Sequence, residues 1–164
     1  MSTAPAPDHT APAYKALTQD QVNDFRLRGY IVIGKLLDDE LIELLRGEYD
    51  RLFTEARQSG HYRNLAIGDT DDIEEKKNAS AQMLQIMQCC ERSIHFRQLL
   101  YDGRILNIAE DLLGPNIQLF HDQALYKPAR DGGSVFWHQD NAYWKCIPAN
   151  LASCWLTLDD VNVE

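Results

Sequence analysis

The sequence predicts an α+β fold, and two observations carry that expectation. Apolar residues recur at helical spacing through the N-terminal part of the chain. From Asn116 onward they gather into short runs divided by turn residues. A length of 164 residues suits one domain. The regular spacing of the later runs points to a sandwich or jelly-roll end.

Residues 1–16 hold Pro5, Pro7 and Pro12 among Ala, Ser and Thr, and read as a disordered tail, with a single domain over residues 17–164. Thr18-Gln19-Asp20-Gln21 has the form of a capping box. Val22, Phe25 and Leu27 follow it in a short helix that Gly29 stops. Tyr30-Ile31-Val32-Ile33 is aromatic and β-branched, hence a predicted strand. Asp38 is placed to cap a second helix through Leu41, Leu44, Leu45, Glu48 and Leu52, with Gly60 beyond its end.

From His61 to Asn78 the chain is polar and reads as loop. Its acidic run Asp69-Thr70-Asp71-Asp72 lacks the glycine and terminal glutamate of an EF-hand, so a solvated loop is expected there instead of a calcium site. Residues 82–90 read as a strand, with Cys89 and Cys90 on its opposite faces. Ser93 opens a pair of helices through Leu99, Ile105, Ile108 and Leu112 that Gly114-Pro115 closes. The expected strands after that are Ile117–Phe120, Ala124–Tyr126, Val135–Trp137 and Leu151–Leu158. Asp131-Gly132-Gly133 and Pro148-Ala149-Asn150 are the turns between them. Four short strands do not complete a jelly roll, so the chain reads as the N-terminal portion of a larger domain.

Sixteen basic against 25 acidic residues leave a net charge of −9. Nothing in that balance offsets phosphate repulsion, so neither nucleic acid nor an anionic membrane is expected as partner. No apolar run approaches the roughly 18 residues of a membrane helix, and the first residues lack the pattern of an export signal. Cys89, Cys90, Cys146 and Cys154 form no C-x-x-C pair. They read as reduced, small buried hydrophobes of a cytoplasmic protein.

His138-Gln139-Asp140 is the candidate metal site. A neutral imidazole and a carboxylate two residues apart reach one ion when they sit on the same side of an extended segment. Such a pair supplies two of the three ligands of the facial triad that holds non-haem Fe(II). About one H-x-[DE] match is expected by chance at this composition, so spacing alone leaves a surface histidine open. Context adds weight: a Gly-Gly turn and Val135-Phe136-Trp137 precede the pair, and Tyr143-Trp144 follow it. The remaining candidates have plainer readings. His121 is expected to be structural, Lys127 solvated at a strand end, and Tyr143 and Trp144 either pocket wall or packing. Asp159 and Asp160 are expected to face solvent, and His9, His61 and His95 to lie in tail, loop and helix surface.

The segments Phe136–Trp144 (FWHQDNAYW) and Trp155–Glu164 (WLTLDDVNVE) resemble the phytanoyl-CoA dioxygenase family. Gln123–Pro128 (QALYKP) is similar to the family strand before the metal motif, and Leu17 to Ile33 to its opening helix and strand. The resemblance implies N-terminal helices packed on a double-stranded β-helix, a jelly roll left incomplete at the C-terminus. It implies an Fe(II)- and 2-oxoglutarate-dependent dioxygenase that hydroxylates a C–H bond of a small organic substrate with O₂. His138 and Asp140 would be the metal ligands, and Gln123 and Trp155 would contact 2-oxoglutarate; a further contact falls loosely near Gln85. The second histidine ligand and the arginine that pairs with 2-oxoglutarate would lie downstream of Glu164. The alternative expectation is a non-catalytic jelly-roll fragment that serves as a binding or interaction module.

Overall fold

The computed structural model describes residues 14–161 apart from 69, 131 and 136. The N-terminal start of the expected tail, with His9, lies outside these residues. So do Asp69 of the acidic run, Asp131 of the turn, Phe136 of the family motif, and residues 162–164.

Side-chain caps start the helices where their residue types predict. Thr18 and Gln21 close a reciprocal capping box on α1 (Gln19–Arg28), and Gly29 ends it. Asp38 accepts the Leu41 N–H at 2.9 Å to start α2 (Asp39–Ser59). Gly60 stops α2 in a left-handed conformation, φ +75°, where an added Cβ would also meet the Ile73 side chain at 2.7 Å. Order begins before Thr18: the N–H groups of Lys15, Ala16 and Leu17 donate to the Asp111 carboxylate at 2.8–2.9 Å. Lys15 and Ala16, at the end of the expected tail, are thus bonded to a later helix.

The polar stretch after α2 contains more structure than its composition suggests. It holds β1 (Arg63–Asn64) and α3 (Ile73–Asn78). Asp72 of the acidic run caps α3, accepting from Glu74 and Glu75, and the Thr70 hydroxyl donates to Glu75. β2 (Leu84–Met87) then pairs antiparallel with β1 and with β3 (Gln123–Tyr126), in the order β1-β2-β3.

The predicted strand over 82–90 is shorter than expected. Gln88 adopts φ +57° and donates its N–H to Asp122 O at 2.8 Å, which turns the chain out of the ladder. Cys89 and Cys90 therefore begin a helical turn, α4 (Cys89–Arg92), instead of alternating across a strand. Ser93 and Asp102 cap α5 (Ile94–Leu99) and α6 (Gly103–Leu113), and Gly114 closes the latter.

Four expected strands do not pair among the described residues. Tyr30–Ile33 lacks a neighbour, with Tyr30 and Val32 59% and 81% exposed. Ile117–Phe120 is irregular, and Val135 and Trp137 lie in unpaired chain. Leu151–Leu158 has no ladder either. Aromatic and β-branched composition favours extended backbone, but a strand exists only where another segment takes its N–H and C=O groups. Among the described residues after β3, the one further helix or multi-residue strand is a short helix, α7 (Asp140–Tyr143). The architecture is mixed helix and small antiparallel sheet, which agrees with α+β. No described helix is long and apolar enough to cross a membrane.

The core forms where α2 crosses the sheet. Leu52, Phe53 and Ala56 of α2 cluster with Tyr62, Leu84, Ile86, Cys89 and Ala124. Each large side chain buried this way contributes about 1.5–3 kcal/mol. Phe53 also meets the rings of Tyr49 and Tyr126 at 4.6 and 5.5 Å. By strand alternation Leu84, Ile86, Ala124 and Tyr126 face α2, which leaves Gln85 and Gln123 for the opposite face.

Asn64 is fully buried and works as a backbone substitute. Its Nδ2 donates to Ala81 O, and its Oδ1 accepts from Ala66 and Met83. Asn64→Ala strands these groups and is expected to cost about 2–4 kcal/mol in urea unfolding. A loss below 1 kcal/mol would mean that water replaces the amide.

Glu48 of α2 accepts from Arg51 and from the Ser93 hydroxyl at 2.5 Å, joining α2 to the cap of α5. Arg51 first and Ser93 second hold its carboxyl down at about 2. Because the folded value is depressed, ionised Glu48 stabilises the fold at neutral pH. That contribution fades as pH falls from 4.5 toward 2. The pair is near the surface, so the gain is under about 1 kcal/mol. Glu48→Gln is expected to be the less stable protein at pH 7 and to converge with the parent in acid; parallel stability–pH curves would contradict this.

Candidate metal centre

His138 and Asp140 come together at the start of α7. Asp140 is its first residue, and its carbonyl accepts the Trp144 N–H at 2.9 Å. His138 Nε2 lies 3.3 Å from Asp140 Oδ1. Two cis ligands of an octahedral ion, each about 2.0–2.2 Å from it, stand roughly 3 Å apart. The donor types and their separation thus fit one divalent ion. Among the described residues no group of three His, Cys, Asp or Glu forms a complete site.

Two features hold this turn. Trp144 packs edge-on against His121, ring centroids 4.5 Å apart, and reaches Phe120 at 6.1 Å. Trp144 is thus a packing residue, and His121 is the ring it packs on. Tyr143 stands perpendicular to the His138 ring at 5.9 Å while remaining 72% exposed. Upstream, the Gly133 N–H donates to Gln82 O at 2.9 Å. A Cβ on Gly133 would lie 2.4 Å from the Ala66 Cβ, so only glycine lets this turn seat against Ala66 and Ala81.

Gln123 is brought to Gln85. The two are diagonal neighbours in the β2–β3 register, and the Gln85 amide donates to Gln123 Oε1 at 2.5 Å. Gln85 is 8% exposed, and its own Oε1 is buried with no protein partner. Whichever way both amides are turned, one –NH₂ group and one carbonyl oxygen of the pair take no part in this bond.

Trp155 is 79% exposed, on the unpaired segment after Leu151. That segment is tied down at two points. Arg46 of α2 donates to Leu158 O at 2.6 Å and pairs with Asp159 at 3.0 Å. Ser153 donates its hydroxyl to Asp140 Oδ2 at 3.4 Å. Asp159 therefore serves a tether. Lys127 is exposed, as expected, with its stem beside Gly132. The sequence reading missed Ser153 and Arg46, because contacts 13 and 112 residues apart leave no local spacing signal.

Of the four cysteines expected to be buried, only Cys89 is; Cys90 and Cys146 are half-buried and Cys154 is exposed, because the segments that carry the last two pack against little else. Burial, then the Asp122 carboxylate, pushes the Cys89 thiol up to about 12. Burial and the bond to Asp122 raise Cys90 to about 11. Neither is a thiolate at neutral pH.

The amide pair gives a stability test. Gln85→Met removes the orphaned oxygen and keeps the length of the side chain. Thermal unfolding is expected to show no loss, since a buried unpaired acceptor costs about 1–3 kcal/mol. A drop beyond 1 kcal/mol would show that the pair exists to hold the sheet.

Residues 25–164 match the family model described as Phytanoyl-CoA dioxygenase (PhyH). An ectoine dioxygenase of Bordetella parapertussis is 26% identical over 151 residues, covering 90% of this chain and 46% of its own. The peroxisomal phytanoyl-CoA dioxygenase of Mus musculus is 28% identical over 153 residues, covering 89% and 44%. A phytanoyl-CoA dioxygenase domain-containing protein 1 homolog of Dictyostelium discoideum is 22% identical over 173 residues, covering 90% and 62%. The chain spans less than half the length of the first two relatives. No solved structure matches.

Proposed function

Since the chain belongs to the phytanoyl-CoA dioxygenase family, we propose that it builds the first half of an Fe(II)- and 2-oxoglutarate-dependent oxygenase site. The substrate would be a small organic molecule hydroxylated at a C–H bond. The observation that carries this reading is the 3.3 Å approach of His138 Nε2 to Asp140 Oδ1. Relatives named ectoine dioxygenase and phytanoyl-CoA dioxygenase support an oxygenase on a small molecule.

In this reading His138 and Asp140 supply two of the three protein donors to the metal, and Gln123 and Trp155 contact the co-substrate. Fe(II), held with 2-oxoglutarate as co-substrate, would supply the oxidising chemistry. The protein's share is to fix the two donors, keep the imidazole oriented and shield the site from water. Tyr143 beside the imidazole and Trp144 against His121 serve the first two tasks. The remaining histidine ligand and the arginine for the co-substrate belong, on this proposal, to polypeptide equivalent to the second half of the relatives. There the sheet of the proposed jelly roll would be completed and Leu151–Leu158 paired. Four cysteines without a disulfide fit a reducing compartment, and we place the protein in the cytoplasm.

With two protein ligands the 164 residues alone are expected to hold Fe(II) weakly. Anaerobic equilibrium dialysis should show one site that His138→Ala and Asp140→Ala each weaken at least tenfold. Equal Fe(II) binding by the parent and both variants would favour the rival reading, a jelly-roll module without a metal.

A further inference from the structure

The Asp140 carboxylate is divided between two neighbours. Its Oδ1 faces His138 Nε2 at 3.3 Å, and its Oδ2 receives the Ser153 hydroxyl at 3.4 Å. Ser153 lies on another stretch of chain, 13 residues on and two before Trp155. We propose that Ser153 is a positioning residue for the metal centre: it occupies Asp140 Oδ2 and so leaves Oδ1 to share one ion with His138. This rests on the reading of His138 and Asp140 as metal ligands.

The physical case is one of lost freedom. A carboxylate on a short exposed turn rotates about its side-chain bonds, and the metal must then bear the cost of stopping it. A hydroxyl that holds one oxygen removes that rotation beforehand, which is why ligating carboxylates are themselves hydrogen-bonded. The 3.4 Å separation exceeds the roughly 2.5–3.0 Å of a fully formed O–H···O bond. Hydrogen bonds around a catalytic centre often tighten in the working complex.

The segment that carries Ser153 is itself anchored. Arg46 grips Leu158 O and Asp159 from α2, five residues beyond Ser153. Ser153 therefore reports to the metal centre the position of the segment that holds Trp155. The same contact ties the metal ligand to the expected co-substrate wall.

Mn(II) titration of the 164-residue chain, followed by paramagnetic broadening of amide resonances, tests this at weak affinity. Broadening is expected around His138, Asp140 and Ser153. Ser153→Ala should raise the Mn(II) dissociation constant about tenfold. Ser153→Thr, which keeps the hydroxyl, should restore it, and the melting temperature of all three proteins should agree. Broadening that Asp140→Ala abolishes and Ser153→Ala leaves unchanged overturns the role of Ser153 alone. Absence of selective broadening in the parent protein overturns the metal reading and this inference with it. Equal weakening by Ser153→Ala and Ser153→Thr also overturns it, because the hydroxyl would then not be the active group.

Discussion

The packing of α2 across one face of the β2–β3 ladder is the constraint on which the other contacts depend. Leu52, Phe53 and Ala56 exclude water from Leu84, Ile86 and Ala124. Once seated, the helix reaches outward with its polar residues. The Tyr49 hydroxyl donates to Leu125 O, Glu48 takes the cap of α5, and Arg46 holds the segment after Leu151. Burial also raises the Tyr49 phenol well above its ordinary value, so it stays a donor throughout the physiological range. Apolar burial supplies the attraction, which has no preferred direction. The hydrogen bonds then select one register for the helix on the sheet.

Using one face of the sheet for folding leaves the other, with Gln85 and Gln123, outside that core. Leu84 and Ile86 contribute to the core, whereas Gln85 between them is turned to the far side, where it meets Gln123. A buried amide oxygen without a partner is expensive in a core that only needs to be stable. Methionine or leucine would fill that place at less cost. A glutamine there suits the co-substrate contact proposed for Gln123 on the same face.

The proposed metal pair lies on a far less buried part of the molecule. His138 and Asp140 keep about two-fifths of their side-chain surface in contact with water, and Trp137 and Trp155 are almost fully open. Three tethers fix this region: Gly133 on Gln82, Trp144 on His121, and Arg46 on Leu158 and Asp159. A site held by a few polar and ring contacts opens more readily than the core under α2.

The sequence by itself determined what depends on near neighbours. The caps at Thr18, Asp38 and Ser93, the stops at Gly29, Gly60 and Gly114, and the strand over Ala124–Tyr126 follow from residue type and short spacing. The nearness of His138 and Asp140 is legible for the same reason, since only one residue separates them. Tertiary structure decided the rest. The runs at Tyr30–Ile33 and Leu151–Leu158 have the composition of strands, yet pairing requires a second segment that composition does not specify. Gln85 meets Gln123 because the ladder aligns residues 38 apart, and Ser153 reaches Asp140 only because Arg46 and α2 set the course of the chain around it. Local rules arise from backbone hydrogen bonds and sterics within a few residues. Contacts between distant residues arise from how the apolar faces pack, and no short window of sequence contains that information.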